Sequence, residues 1–548
     1  MTGEVRFRNI VEPEAAASFR AEGWWGDDAL TDVVRRHAQA QPEATAFVCG
    51  QERLSWLGYD RASDHLAAAL IGQGLAPGAR VAVLLPDGPS VHVAFLANEK
   101  AGLTTVGLGS RAGEAEIRHL VERTEAVALV TFEQHRGRSM DELATDLRRT
   151  CPTLRHHLTV PRFETGARDI SVDGALAEGG IALTRLIDGR RLGPDDLFMV
   201  NSTSGTTGLP KCVMHHENRW MYFHQKATEV GQLNPADVFF GAVPAPFGFG
   251  LWTAHFTPSL LGAPTILAER FDADEALALI EHEKVTVLCA VSTQFIMMLN
   301  SPQLDRRDLS SLRVMFTGGE TVPYARAQAF EERTGAVVLQ FYGSNESGLA
   351  TGTRLSDPRE RRLRTAGRAL SGTELRLYED GRDVTALGMG QPGTRGPATC
   401  VGYLDDRAAN AELFTDDGFV LHADLCTIDD EGYLRVVGRK SDIIIRGGKN
   451  ISAAQVEDSV GMHPAVGLAA AVPMEDDTFG ERICAFVELR PGATLELAPL
   501  LDFLAQQGVS KELFPERLVV MEELPRASGG KVAKGELRET LRGERSTN

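Results

Sequence analysis

Basic residues are in short supply in this chain: 57 Lys and Arg face 75 Asp and Glu, a net charge of −18. That balance argues against a nucleic-acid or anionic-membrane surface as the main partner, so a phosphate ligand must be held by local donors, not by a global field. The seven cysteines are odd in number, widely spaced and never arranged as CxxC. No disulfide framework is implied, and a reduced, cytoplasmic setting fits best. The 14 histidines include no HExxH or paired ligand spacing. No structural metal is expected, and the neighbours His156/His157 and His215/His216 read as surface or loop residues. No apolar run approaches the roughly 20 residues that span a bilayer, so no integral membrane contact is expected. The first residues, MTGEVRFRNIVEPEAAAS, are charged from the start and lack a signal-peptide core. The Walker spacing GxxxxGKS/T is missing as well.

What is present is a long chain of ordinary hydrophobicity, 548 residues at 43% apolar, which is too much for one core and calls for at least two domains. In the first half, helical patterns alternate with short apolar strands: 62–73 as helix, 81–85 and 126–131 as strands. Further strands are expected at 286–290, 312–316 and 337–342, with an amphipathic helix at 274–283. This is βα alternation and predicts largely parallel sheets in a large multi-sheet α/β domain. Near Arg395 the texture turns to Gly-rich turns and short β segments. After Gly438 a compact α+β run follows, with strands at 443–445, 466–472, 483–489 and 517–520 and helices near 453–460 and 498–507. The predicted division is 1–440 and 441–548, and the polar tail RGERSTN is expected to fray.

Residues 202–211 read STSGTTGLPK, directly after an apolar strand at 197–200. Small residues let backbone approach an anion; Thr203, Ser204, Gly205, Thr206 and Thr207 supply hydroxyl and amide donors, and Lys211 a compact charge. By composition alone such a run is more often a solvated loop. Its place after a strand favours a phosphate cradle, because ligands of open α/β sheets gather beyond strand ends. The string resembles the phosphate loop of the ANL superfamily of adenylate-forming enzymes: acyl-CoA synthetases, peptide-synthetase adenylation domains and luciferases. Four further motifs follow in that family's order, over nearly the whole chain.

The resemblance implies a role for each of these motifs. FYGSNESG resembles the YGxTE motif and would make Glu346 the Mg²⁺ ligand, since a hard cation bridging phosphates needs carboxylate oxygen. Asn345 stands where the family has threonine; its amide could still donate to a phosphate oxygen. Gly318, Gly319 and Glu320 follow a strand and, with Phe341, Tyr342 and Gly343, would enclose adenine. Asp424, in GFVLHADL, matches the acidic residue of the family's TGD sequence and would accept from the ribose hydroxyls, with His422 and Ala423 replacing Thr and Gly. Arg439, in GRKSDIIIRGG, would add a guanidinium on the ribose or phosphate side. LPRASGGK resembles the terminal PRxxxGK motif and makes Lys531 the catalytic lysine, an ammonium offsetting charge where carboxylate meets phosphorus. By alignment Ser441 is the hinge of a mobile C-terminal lid, and Gly447 and Gly448 face the thiol in a second half-reaction.

The acyl pocket is expected near 244–252 and 291–298, from Phe247, Gly248, Phe249, Trp252, Gln294 and Met297, although aromatic and Met stripes also build plain cores. No carboxylate occurs in 244–252, where amino-acid adenylation domains place one for the α-ammonium, so a hydrophobic non-amino acid is favoured. The expected activity is an ATP- and Mg²⁺-dependent acid–thiol ligase using coenzyme A. Two alternatives stay open. One is an acyl-AMP ligase loading the phosphopantetheine of an acyl or peptidyl carrier protein, and the other a degenerate family member acting as a ligand-binding or scaffold protein. Either a monomer or a homodimer would serve.

Overall fold

The computed structural model of the protein describes residues 7–160, 185–203, 210–320, 322–439, 442–447, 449–476, 478–526 and 531–546. Its largest sheet runs, in spatial order, Arg368–Ala369, Gly348–Gly352, Val337–Ser344, Val314–Gly318, Val287–Cys289, Phe239–Gly241, Thr265–Leu267, Thr45–Cys49 and Glu52–Ser55. Pairing is parallel from Val337–Ser344 to Thr45–Cys49 and antiparallel at both margins. The parallel strands are almost continuously buried, as expected of a sheet covered by helices on both faces.

A second sheet orders Cys212–His215, Met199–Ser202, Thr104–Gly107, Arg80–Leu84, Ala128–Thr131 and His156–Thr159, parallel except for its first pair. The βα alternation expected from sequence is therefore present. Two of the histidines, His215 and His216, are placed differently from expectation. Both are buried, and His215, at the end of one outer strand of this sheet, finds polar partners in Asn201 and Arg219; His156 and His157 lie on the outer strand at the opposite margin. A third, antiparallel sheet begins at Glu374–Glu379, earlier than the textural change at Arg395, and ends with Asp424–Ile428 and Leu434–Arg439.

A fourth sheet is built from Lys449–Ser452, Ile443–Arg446, Gly480–Leu489, Val466–Asp476 and Arg517–Met521, with helices Ala453–Gly461 and Leu497–Gln506. It forms a smaller α+β unit, as the sequence predicted. Helix Lys534–Ser546 runs into the polar tail that was expected to fray. Docking of the two units is partly apolar. Leu468, Ala470, Phe486, Leu524 and Leu537 of the small unit share one cluster with Phe295, Leu299 and Phe330 of the large one. Arg326 of the large unit donates to the Gly461 and Val466 carbonyls at 2.6 and 3.2 Å. Among the described residues, no helix is long and apolar enough to cross a membrane.

Candidate active site

Five loops leave the carboxyl ends of parallel or central strands on the same side of the two large sheets: those after Ser202, Gly241, Cys289, Gly318 and Ser344. This is where a doubly wound sheet exposes free backbone donors. The structure describes the two ends of the Ser/Thr/Gly loop. Thr203 N donates to the Lys211 carbonyl at 3.0 Å, and Lys211 N to Thr203 Oγ1 at 3.3 Å, which closes the loop's neck. Ser204, Gly205, Thr206 and Thr207 lie outside the described residues, as do Ser441 and Gly448.

Glu346 follows strand Val337–Ser344, whose Gly343 admits no side chain because a Cβ would meet the Gly348 carbonyl oxygen at 1.8 Å. Tyr403 donates its hydroxyl to Glu346 Oε1 at 2.7 Å, leaving the other carboxylate oxygen without a hydrogen bond among the described residues. Burial and the Glu346 charge raise the Tyr403 pKa, so the phenol stays a donor. The Lys211 ammonium lies 5.0 Å from the Tyr403 ring centre, so Lys211 and Glu346 meet at one tyrosine that local motif reading did not find. A carboxylate with one oxygen oriented and one open suits a divalent cation.

Asp424 and Arg439 face each other on adjacent antiparallel strands. Arg439 Nε stands 3.5 Å from Asp424 Oδ1, and Tyr342 donates its hydroxyl to Oδ2 at 2.8 Å. His422 stacks on the Tyr342 ring, centroids 5.0 Å apart, and its Nε2 is 2.9 Å from Thr394 Oγ1. The HAD sequence thus keeps Asp424 at a strand start and uses the imidazole to back Tyr342. Phe341 is different. Alternation along the strand turns it away from Tyr342 and into an aromatic cluster, 5.3 Å from Trp252 and 5.0 Å from Phe316. Its side chain therefore belongs with the acid-side residues, not with the nucleotide side where the motif placed it.

From the small unit, Lys531 reaches the large unit and donates to the Gly319 carbonyl. Gly319 has φ +78°, and a Cβ there would come within 3.1 Å of Lys531 Nζ. A Cβ at Gly318 would meet the Phe341 carbonyl oxygen at 2.2 Å, so this turn needs both glycines. Burial lowers the Lys531 pKa; Glu320 and Asp424 act to raise it, and Arg439 to lower it. Lys531, Glu320, Arg439 and Asp424 therefore share one electrostatic neighbourhood, although Lys531 lies 212 residues from Gly319 in sequence. Glu320 also accepts the Thr293 N–H at 3.1 Å. Gly447 is bonded inside the small unit, donating to the Phe479 carbonyl at 2.8 Å.

On the acid side, Phe247 caps a helix that passes through a π turn, Leu251–Phe256, between Gly248–Gly250 and Thr257–Leu261. Trp252 is fully buried in that turn, stacked on Phe249 at 5.5 Å and on Phe223 at 4.9 Å. Phe247, Gly248 and Phe249 are half-buried, as is Met297 on helix Ser292–Asn300. Gln294, expected to line the pocket, instead accepts the Val291 N–H at 3.0 Å and donates to the Ala242 carbonyl at 2.5 Å. It fixes the helix start rather than offering a free amide. Asn345, expected to donate to phosphate, directs its amide nitrogen to Asn201 Oδ1 at 2.6 Å and the Ser202 carbonyl at 3.5 Å.

Comparison with known proteins covers almost the entire chain. The profile of the family described as AMP-binding enzyme matches residues 34–404, and that of the AMP-binding enzyme C-terminal domain matches residues 455–531. The medium-chain fatty-acid–CoA ligase of Escherichia coli is 33% identical over 533 residues, 96% of this chain and 92% of that protein. The 2,3-dihydroxybenzoate-AMP ligase of Bacillus subtilis is 30% identical over 531 residues, 96% of each. A solved structure of the anthranilate CoA ligase AuaEII with anthranoyl-AMP has the same fold, with TM-score 0.83 at 22% identity over 95% of this chain and 98% of that one.

Proposed function

The chain belongs to the AMP-binding enzymes, within the ANL superfamily of adenylate-forming enzymes, and on that premise we propose that it is an ATP-dependent ligase activating a hydrophobic, non-amino carboxylic acid as its acyl-AMP. The observation that carries this reading is Lys531, whose ammonium lies on the Gly319 turn beside Glu320, Asp424 and Arg439. In the first step a carboxylate oxygen of the acid attacks the α-phosphorus of ATP, the α–β phosphoanhydride bond breaks, and pyrophosphate leaves. Lys531 offsets the charge of the two approaching anions. Asp424 accepts from the ribose hydroxyls, while Tyr342, backed by His422, gives adenine a flat wall. The loop closed by Thr203 and Lys211 holds the leaving pyrophosphate. Glu346, oriented by Tyr403, would hold Mg²⁺, which supplies neutralising charge to the phosphates.

In the second step a thiol attacks the acyl carbon and AMP leaves. Coenzyme A is the proposed acceptor, in line with the CoA ligase among the relatives; the B. subtilis relative, named an AMP ligase, supports a carrier-protein phosphopantetheine as the alternative. In this proposal the domain boundary falls at Lys440–Ser441, with Ser441 as hinge and Gly447 and Gly448 on the face offered to the thiol. The aromatic wall of Phe247, Phe249 and Trp252, free of carboxylates, supports an aryl, alicyclic or fatty acid over an amino acid. Mass analysis of products from ATP, Mg²⁺ and an acid panel, with and without CoA, tests this. Acyl-CoA and AMP are expected; acyl-adenylate persisting with CoA would transfer the second step to a carrier protein, and silence across the panel would contradict the reading.

A further inference from the structure

Behind the candidate site a buried polar chain links three of its loops. Asn201, His215 and Arg219 are each at most 1% exposed. Arg219 Nη1 lies 2.8 Å from His215 Nδ1, and His215 Nε2 lies 2.7 Å from Asn201 Oδ1. A guanidinium only donates, so Nδ1 of His215 is the acceptor and the neutral ring carries its proton on Nε2. Burial and the neighbouring Arg219 charge hold that imidazole well below its ordinary pKa, in the neutral form the chain of bonds requires. With Oδ1 toward His215, the Asn201 amide is fixed in one orientation. Its Nδ2 donates to the Pro246 carbonyl at 2.8 Å and to Asn345 Oδ1 at 3.2 Å, while Oδ1 accepts from Asn345 Nδ2 at 2.6 Å.

We propose that Asn201 is a positioning residue that locks the acid-pocket loop at Pro246 to the Asn345–Glu346 loop, with His215 and Arg219 setting its orientation. The proposal rests on the adenylate-forming reading above. Asn201 sits on strand Met199–Ser202, two residues before Thr203, so the phosphate motif, the acid pocket and the Glu346 loop converge on a single amide. Arg219 closes the circuit, donating from Nη2 to the Asn345 and Glu346 carbonyls at 3.0 and 3.1 Å and from Nε to the Ala398 carbonyl at 2.8 Å. The pocket side is equally tight: a Cβ on Gly248 would meet Asn345 Oδ1 at 3.1 Å. Movement of the pocket loop on acid binding is thereby felt at Glu346, and an empty pocket leaves the two loops free to drift only together. Such fully satisfied buried networks admit one arrangement, because any flipped amide leaves donors facing donors.

The test compares Asn201→Ala, Asn345→Ala, their double variant, His215→Gln and His215→Asn with the parent in acid-dependent ATP–pyrophosphate exchange, with thermal unfolding as a control for folding. Loss of a supporting hydrogen bond of this kind is expected to lower kcat/KM about 10- to 100-fold for either single asparagine variant, and the double variant should lose little more. Gln at 215 can present a donor where Nε2 stood and should retain most activity. Asn reaches only the Nδ1 position and should resemble Asn201→Ala. Amide hydrogen exchange supplies a reading that needs no activity: in Asn201→Ala and in Asn345→Ala, protection should fall in both 245–249 and 344–348 and hold elsewhere. Additive losses in the double variant, equal behaviour of the two His215 variants, or unchanged protection in either loop would overturn the proposal. If the parent shows no acid-dependent exchange, the proposed function fails, and the protection comparison still decides the positioning role.

Discussion

Asp87 is a buried carboxyl whose pKa burial pushes up to about 7, against the opposing effects of the Ala245 N–H it accepts at 2.8 Å and of Arg111. The folded form therefore binds this proton more tightly than the unfolded form does, and its contribution to stability falls as pH rises from about 4 through 7. Asp87→Asn keeps an acceptor for Ala245 and removes the ionisation. Its melting temperature relative to the parent is expected to be higher at pH 8 than at pH 5; a difference independent of pH would refute the assignment. At this scale the motifs nominated Glu346, Asp424, Arg439 and Lys531, because each lies in a contiguous string with its own chemistry. Tyr403, Asn201, His215 and Arg219 were illegible. Their roles are made by pairings such as Asn345 with Asn201, 144 residues apart, and nothing in local spacing announces which buried histidine meets which amide.

Among the elements, strands with β-branched, continuously buried runs were readable, and Val337–Ser344 and Gly480–Leu489 extend the predicted spans by only a few residues. The π turn at Leu251–Phe256 was not, because its apolar spacing differs from an α-helix by one residue per turn. The helical tail was hidden too, since its polarity reads as disorder until Leu537 and Leu541 are seen to dock. Helix Tyr324–Thr334 carries Arg326 to two carbonyls of the small unit. Removing a donor from buried carbonyls costs about 1–3 kcal/mol, and here that cost falls on the orientation in which Lys531 meets Gly319. Arg326→Ala is expected to slow acid-dependent pyrophosphate exchange about tenfold or more, with thiol transfer from supplied acyl-adenylate nearly unchanged. Equal loss in both half-reactions would show that Arg326 supports stability and not the docked orientation.

For the whole molecule, the net charge of −18 means that a polyanionic nucleotide gains nothing from the overall field. Attraction has to come from positive groups at the site itself, within about one Debye length, ~8 Å at physiological salt. Under the proposed function Arg439 of the large unit and Lys531 of the small unit meet that need, and the docking described here brings Lys531 to the Gly319 turn. Under that proposal catalytic competence is tied to a domain arrangement, which a reading of local motifs could name but not place. The most direct test of the account is acid-dependent ATP–pyrophosphate exchange in the parent and in Lys531→Ala, both at saturating ATP, Mg²⁺ and acid. Loss of one well-placed charge donor is expected to lower kcat at least about 100-fold while the melting temperature holds. An exchange rate in Lys531→Ala equal to the parent's would contradict the account, because the residue that unites the two units at the site would then have no part in forming the adenylate.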